Sequence, residues 1–152
     1  MPLYFAYGSN MSRVLMRRHC PLSAPMDTGV LDRHRFIVTA DGYASIVASP
    51  AHQVHGVLWR LDARDLAALN AYEGLDVGLY RTGVRPVRHA GGIAQAMVYI
   101  GRTCRLGPPK PGYLELVLAA ANEWKLPRAY TVSLARWAPS LDGLRATRKI
   151  GT

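Results

Sequence analysis

The sequence predicts an α+β domain in which a mostly antiparallel sheet curls towards a small barrel. Three observations predict it. Six or more β-patterned stretches follow one another with turn residues between them; only a few helical patterns interrupt them; and 49% of the 152 residues are hydrophobic, enough to fill one core. No internal repeat, low-complexity tract or linker divides the chain, so residues 1–152 are expected to form a single domain.

The first element is a strand over the apolar run Leu3-Tyr4-Phe5-Ala6-Tyr7, which ends in aromatics and collides with Gly8-Ser9-Asn10. Gly8 is expected to adopt a conformation closed to other residues, and Ser9, Asn10 or Ser12 to cap a helix that Val14, Leu15 and Met16 continue to about His19. Pro21 and Pro25 break the chain, after which Gly29-Val30-Leu31 and Arg35–Thr39 read as extended. A turn at Asp41-Gly42 follows. Ala44–Ala48 and His55–Leu61 read as two short strands around a Ser49-Pro50 turn.

Asp62–Tyr72 has the punctuation of a helix: Asp62 as its cap, Asp65 in its first turn and Gly74 just past its end. Leu79–Arg88 and Ala94–Ile100 form two longer strands joined at Ala90-Gly91-Gly92. A later helix covers about Gly112–Trp124, with Tyr113, Leu116, Val117, Ala120, Ala121 and Trp124 on one face, and Pro127 ends it. Ala129–Trp137 is a candidate last short helix.

The formal charge of +9 attracts anions of any kind, but the basic residues are scattered. Arg13, Arg17 and Arg18, then Arg33 and Arg35, then Arg85 and Arg88, then Arg145, Arg148 and Lys149 form no run and no nucleic-acid recognition pattern. Cys20 and Cys104 stand far apart and outside any Cys-x-x-Cys spacing, which indicates neither a disulfide framework nor a zinc ribbon. No apolar stretch reaches the length of a membrane span and no signal-peptide pattern opens the chain, so a soluble cytoplasmic protein is expected.

Two places suggest chemistry. The strand–turn–helix at Tyr7-Gly8-Ser9-Asn10 gathers unpaired backbone N–H groups, which suit a carboxylate or a developing oxyanion. On the Asp62 helix the apolar stripe takes Leu66 and Leu69, and helical spacing carries it on to Asn70 and Glu73. A carboxylate ending a buried stripe, near the negative end of a helix dipole, has its pKa pushed up and becomes a candidate general base and acid. A frayed helix end would instead turn Glu73 to water. His52 and His55 sit beside Pro50 in an expected hairpin, which disfavours a metal-ligand pair. Asp27, Asp32 and Asp41 read as turn or cap residues. Ser9 lacks both the G-x-S-x-G spacing and a His/Asp pair of a serine nucleophile.

These segments, taken in order, resemble the gamma-glutamylcyclotransferase family and its AIG2-like relatives. The resemblance rests on Tyr4-Phe5-Ala6-Tyr7-Gly8-Ser9-Asn10-Met11, His55-Gly56-Val57-Leu58-Trp59, Leu69-Asn70-Ala71-Tyr72-Glu73-Gly74, Tyr80-Arg81, and Tyr113-Leu114 leading towards Leu126-Pro127. It implies a small mixed β-barrel with flanking helices, a substrate pocket at the Tyr-Gly-Ser-Asn loop and a catalytic Glu73. It also implies cleavage of a γ-glutamyl amino acid or amine by the substrate's own α-amino group, releasing 5-oxoproline without metal or cofactor. Substrate-binding roles then fall to Tyr7, Gly8, Ser9, Asn10, Tyr80 and Tyr113. Asn70 stands where the family often carries Asp, and Asn10 where its glutathione-specific branch usually carries Leu, which argues against that branch. The alternatives are a catalytically silent binding member of the fold and an anion or nucleic-acid binding module.

Overall fold

The computed structural model describes residues 2–139, so Arg145, Arg148 and Lys149 lie outside the described residues. Among these, five strands close into a barrel in the order β1-β3-β2-β4-β5: β1 (Leu3–Ala6), β2 (Ala24–Val38), β3 (Ala44–Arg60), β4 (Tyr80–His89) and β5 (Gly92–Gly101). All pairings are antiparallel except that of β1 with β5, which closes the barrel through Tyr4 opposite Met97. Closure leaves no long sheet edge for another chain to extend. The helices are α1 (Arg13–His19), α2 (Ala63–Tyr72), α3 (Tyr113–Glu123) and α4 (Arg128–Ala135). The mixed, mostly antiparallel barrel with flanking helices predicted from sequence is therefore the fold.

Two boundaries differ from the sequence reading. β2 runs through Pro25 without a break, with an irregularity in register between Pro25 and Asp27. β3 is likewise one strand of 17 residues rather than two. His34 pairs with Ala48 and Asp32 with Gln53, so residues 49–52 balloon out opposite the single Arg33. Ser49-Pro50 thus marks a wide bulge, which Pro50 tolerates because no ladder hydrogen bond is asked of it. Arg33 takes φ = 60° at that point.

The core is filled by Phe5 of β1, Leu31 and Val38 of β2, Val54, Val57 and Leu58 of β3, Met16 of α1, Leu69 of α2 and Val117 of α3, all essentially inaccessible to solvent. Asp65 adds something its position in a first turn did not reveal. It is buried and accepts hydrogen bonds from the Leu22 N–H (3.0 Å) and the Ser23 hydroxyl (2.7 Å), fastening α2 to the connection between α1 and β2. By contrast, the pairs Arg13–Glu123, Arg64–Asp62, Arg88–Asp32 and Arg102–Asp41 lie at the surface, where solvent screening leaves each a minor contribution.

Candidate active site

β1 delivers the chain to the site. After Tyr7 and Gly8 it makes one turn of 3-10 helix, Ser9–Met11, before Ser12 caps α1 by accepting from the Leu15 N–H. The turn is closed by the Met11 N–H on the Gly8 carbonyl (3.1 Å) and the Ser12 N–H on the Ser9 carbonyl (3.0 Å). Being the first in the turn, the N–H groups of Ser9 and Asn10 find no backbone acceptor among the described residues. The Ser9 N–H instead faces the Tyr113 hydroxyl oxygen, which brings the turn and α3 together at the cavity. The indole of Trp124 on α3 pins the turn by donating to the Met11 carbonyl at 2.7 Å.

Gly8 corrects an expectation. Its φ of −110° is on the side open to other residues, so no left-handed conformation requires glycine. Space does. A Cβ at Gly8 would lie 2.8 Å from the Tyr113 hydroxyl oxygen.

α2 presents Glu73. The helix ends because Gly74 takes φ = 71°, while Glu73 stays in helical geometry with its N–H on the Leu69 carbonyl (2.9 Å). Leu69, one turn earlier, is fully buried and sets that face of the helix against the core. Glu73 does not point to open water: its Oε1 accepts from Asn10 Nδ2 at 2.7 Å, across 63 positions of sequence. Burial raises the carboxyl from an ordinary 4.5 to about 7, against the opposing effect of the Asn10 hydrogen bond. Asn10 is itself only 3% exposed, and Nδ2 also donates to the Tyr4 hydroxyl at 3.1 Å.

These groups surround one cavity of about 210 Å³. Tyr7, Gly8, Ser9, Asn10, Glu73, Tyr80 and Tyr113, the site residues named from sequence, all line it. Glu73 is the sole acidic or basic side chain in that lining among the described residues. Burial raises the pKa of Tyr4, Tyr7, Tyr80 and Tyr99, and that of Tyr113 to about 12, so these phenols remain neutral across the physiological range.

The tyrosines are not equivalent. Tyr7 donates its hydroxyl proton to the Tyr99 carbonyl and Tyr80 donates to the Ala44 carbonyl, which makes both wall-builders, with no proton left for a ligand. Tyr113 accepts from the Ala44 N–H (3.3 Å) and Tyr4 accepts from Asn10, so each retains a proton to donate. Of the three tyrosines that the resemblance marks as substrate-binding, only Tyr113 keeps a hydroxyl proton for a ligand, and Tyr4 joins it.

Sequence reasoning missed Tyr4, Tyr43, Tyr72, Leu79, Tyr99 and Leu116 as cavity residues. One signal was available for Tyr99. Asn70, one turn before Glu73, was singled out, and its Oδ1 accepts the Tyr99 hydroxyl at 2.6 Å. The sequence pattern groups Leu116 with Val117, Ala120 and Ala121 on one face of α3, yet it is 48% exposed, whereas Leu114 is buried. His52 and His55 lie elsewhere: His52 bonds the Ser49 hydroxyl and His55 packs on the Tyr130 ring. Cys20 is buried and Cys104 exposed, both as free thiols. Among the described residues, no helix is long and apolar enough to cross a membrane.

Known proteins resemble this chain in sequence and fold. The chain is 28% identical over 149 residues to the gamma-glutamylcyclotransferase of Homo sapiens, an alignment covering 91% of this chain and 79% of the human protein, and equally so to that of Mus musculus. A solved structure of a gamma-glutamyl cyclotransferase superposes with a TM-score of 0.81 at 26% identity, covering 88% of this chain and 86% of the other. YkqA of Bacillus subtilis, at 23% identity, shares the fold with a TM-score of 0.77 over 89% of this chain and 53% of its own. The sequence profile of the AIG2-like family matches residues 53–134, which include the whole of α2 and Glu73, and the chain belongs to that family.

Proposed function

We propose that the protein is a γ-glutamyl cyclotransferase that cleaves the amide of a γ-glutamyl amino acid or amine. The observation that carries this reading is a half-hidden carboxyl, Glu73, poised near neutrality in one cavity with the turn that carries the Ser9 and Asn10 N–H groups. The substrate's α-amino nitrogen attacks its own γ-carbonyl carbon, and Glu73 takes the proton that the nitrogen loses. The carbonyl oxygen becomes an oxyanion, for which the Ser9 and Asn10 amides and the Tyr113 hydroxyl are the available donors. Glu73 then passes its proton to the departing nitrogen as the original amide bond breaks. One C–N bond forms, one breaks, and the products are 5-oxoproline and a free amine.

Ring closure makes a simple site sufficient. Well-oriented intramolecular reactions reach effective molarities of about 10⁵–10⁸ M, so the main task is to hold the glutamyl chain folded on itself. A pKa near 7 is suited to a group that must accept and return one proton at neutral pH. The test is to incubate the pure protein with γ-glutamyl amino acids, γ-glutamyl amines and glutathione, and to follow 5-oxoproline. Simple γ-glutamyl compounds are expected to turn over faster than glutathione, and glutathione exceeding every other compound in kcat/KM would contradict the assignment of branch.

A pH profile adds an independent check. Because the base must be ionised, kcat/KM is expected to rise through a limb near pH 7 and not near the usual carboxylate value of 4.5. An acid limb at pH 4–5 would place Glu73 in ordinary solvent and remove it as the tuned base.

A further inference from the structure

We infer that the mouth of the cavity is a subsite for an apolar substituent on the leaving amine, so that γ-glutamyl amides of aliphatic or aromatic amines and of amino acids with apolar side chains are the substrate class. This rests on the cyclotransferase reading above and adds the half of the substrate that the reaction itself leaves undefined.

The lining divides into two zones. Buried Asn10 joins the groups suited to the glutamyl part, donating to both the Glu73 carboxyl and the Tyr4 hydroxyl, with the Ser9 turn and the Tyr113 hydroxyl in the same lining. Tyr72 and Leu116 also line the cavity yet are each 48% exposed, so they form its entrance, with Tyr43 and Leu79 beside them. The two entrance tyrosines are held by neighbouring rings. Tyr72 stacks on His19 at a ring separation of 3.8 Å, and Tyr43 meets Tyr113 edge-on at 5.2 Å. An exposed Leu beside an exposed Tyr, on different helices and opening into a polar pocket, is apolar surface that a ligand would cover.

The direction of the substrate follows. Cyclisation folds the glutamyl part back on itself at Glu73, and the departing nitrogen must carry its substituent out past the entrance. No lysine or arginine lines the cavity among the described residues; Lys110 packs its stem over Gly42, next to Tyr43, without entering the lining. A charged side chain on the leaving group therefore exchanges water for tyrosine and leucine surface with no counter-charge, whereas an apolar one loses contact with water favourably.

The test compares pairs matched in size: γ-glutamyl-leucine against γ-glutamyl-asparagine, and γ-glutamyl-methionine against γ-glutamyl-glutamine, by kcat/KM for 5-oxoproline release. The apolar member is expected to win by about tenfold in each pair, as hydrophobic pockets discriminate. Leu116→Asn should shrink that ratio towards one. Binding of the same four compounds to the Glu73→Gln protein by calorimetry should rank them alike without turnover. Equal or reversed ranking among compounds that are turned over, or a ratio unmoved by Leu116→Asn, overturns the subsite. No 5-oxoproline from any compound overturns the cyclotransferase reading and the subsite with it.

Discussion

Glu73→Gln is expected to abolish nearly all turnover while leaving the protein folded and able to bind. Gln occupies the same volume and keeps a hydrogen bond with Asn10, but it cannot exchange a proton. General acid–base catalysis is typically worth about 10²–10⁴-fold, and that loss should appear in kcat with little change in KM. Ser9→Ala is the control. If the Ser9 backbone amide does the binding, losing the hydroxyl costs about one hydrogen bond, roughly 0.5–1.5 kcal/mol. An active Glu73→Gln beside a dead Ser9→Ala would move the chemistry to a serine nucleophile.

The same substitution has a stability signature of fixed sign. Glu73 ionises at about 7 in the folded protein against an ordinary 4.5, so folding favours its protonated form. The unfolded chain gives up this proton first, and wild-type stability falls as pH rises from about 4.5 through about 7. Gln carries no such proton. Glu73→Gln should therefore melt higher than wild type at pH 8, with the difference vanishing towards pH 4; a Tm difference independent of pH would show that the carboxyl is not desolvated.

The second large effect is expected at Gly56, which lies outside the cavity lining. A Cβ there would lie 2.3 Å from the Ala6 carbonyl oxygen and 2.9 Å from the Phe5 ring. The first of these is backbone, which cannot rotate away. Gly56→Ala must push β3 and β1 apart where Ala6 opposes Val57, and overpacking of this kind costs about 1–3 kcal/mol or more. For a domain of this size a loss of about 3 kcal/mol lowers Tm by roughly 6–12 °C. Because Ala6 leads directly into Tyr7 and Gly8, activity should fall with stability. A variant with unchanged Tm and full activity would mean that β1 is not held as closely as the structure has it.

Local signals in the sequence carried a good part of this fold. Asp62 and Gly74 bracket α2 because a side-chain cap and a left-handed glycine act within a few residues of the helix they punctuate. The β4–β5 hairpin was legible in the same way from Ala90-Gly91-Gly92. What stayed hidden depends on partners distant in sequence. Pro50 reads as a turn in isolation, and only the pairing of Gln53 with Asp32 makes the segment a bulge in one long strand. Gly8 reads as a conformational need, and only the approach of Tyr113, on another element, shows that it is a spatial one.

The candidate site divides along the same line. Glu73 and the Gly8–Asn10 loop could be named because each breaks a local pattern, a polar end on an apolar stripe and a glycine-rich stop after an apolar strand. Tyr4, Tyr43, Tyr72 and Tyr99 look like ordinary aromatics until the fold brings β1, β5, the turn before β3 and the end of α2 to one cavity. Which hydroxyls keep a proton could not be read from residue type at all. Tyr7 and Tyr80 are committed to the Tyr99 and Ala44 carbonyls by the meeting of β1 with β5 and by the turn that starts β3.

The attacking nucleophile is the central claim, and the product formed in ¹⁸O-labelled water tests it most directly. A γ-glutamyl dipeptide incubated with the wild-type protein in that solvent, with products read by mass spectrometry, should yield the free amino acid and 5-oxoproline carrying no label from the solvent, because the substrate's own amine closes the ring. Glutamate labelled at its γ-carboxyl, with no 5-oxoproline, would show that water is the nucleophile and that the protein is a hydrolase.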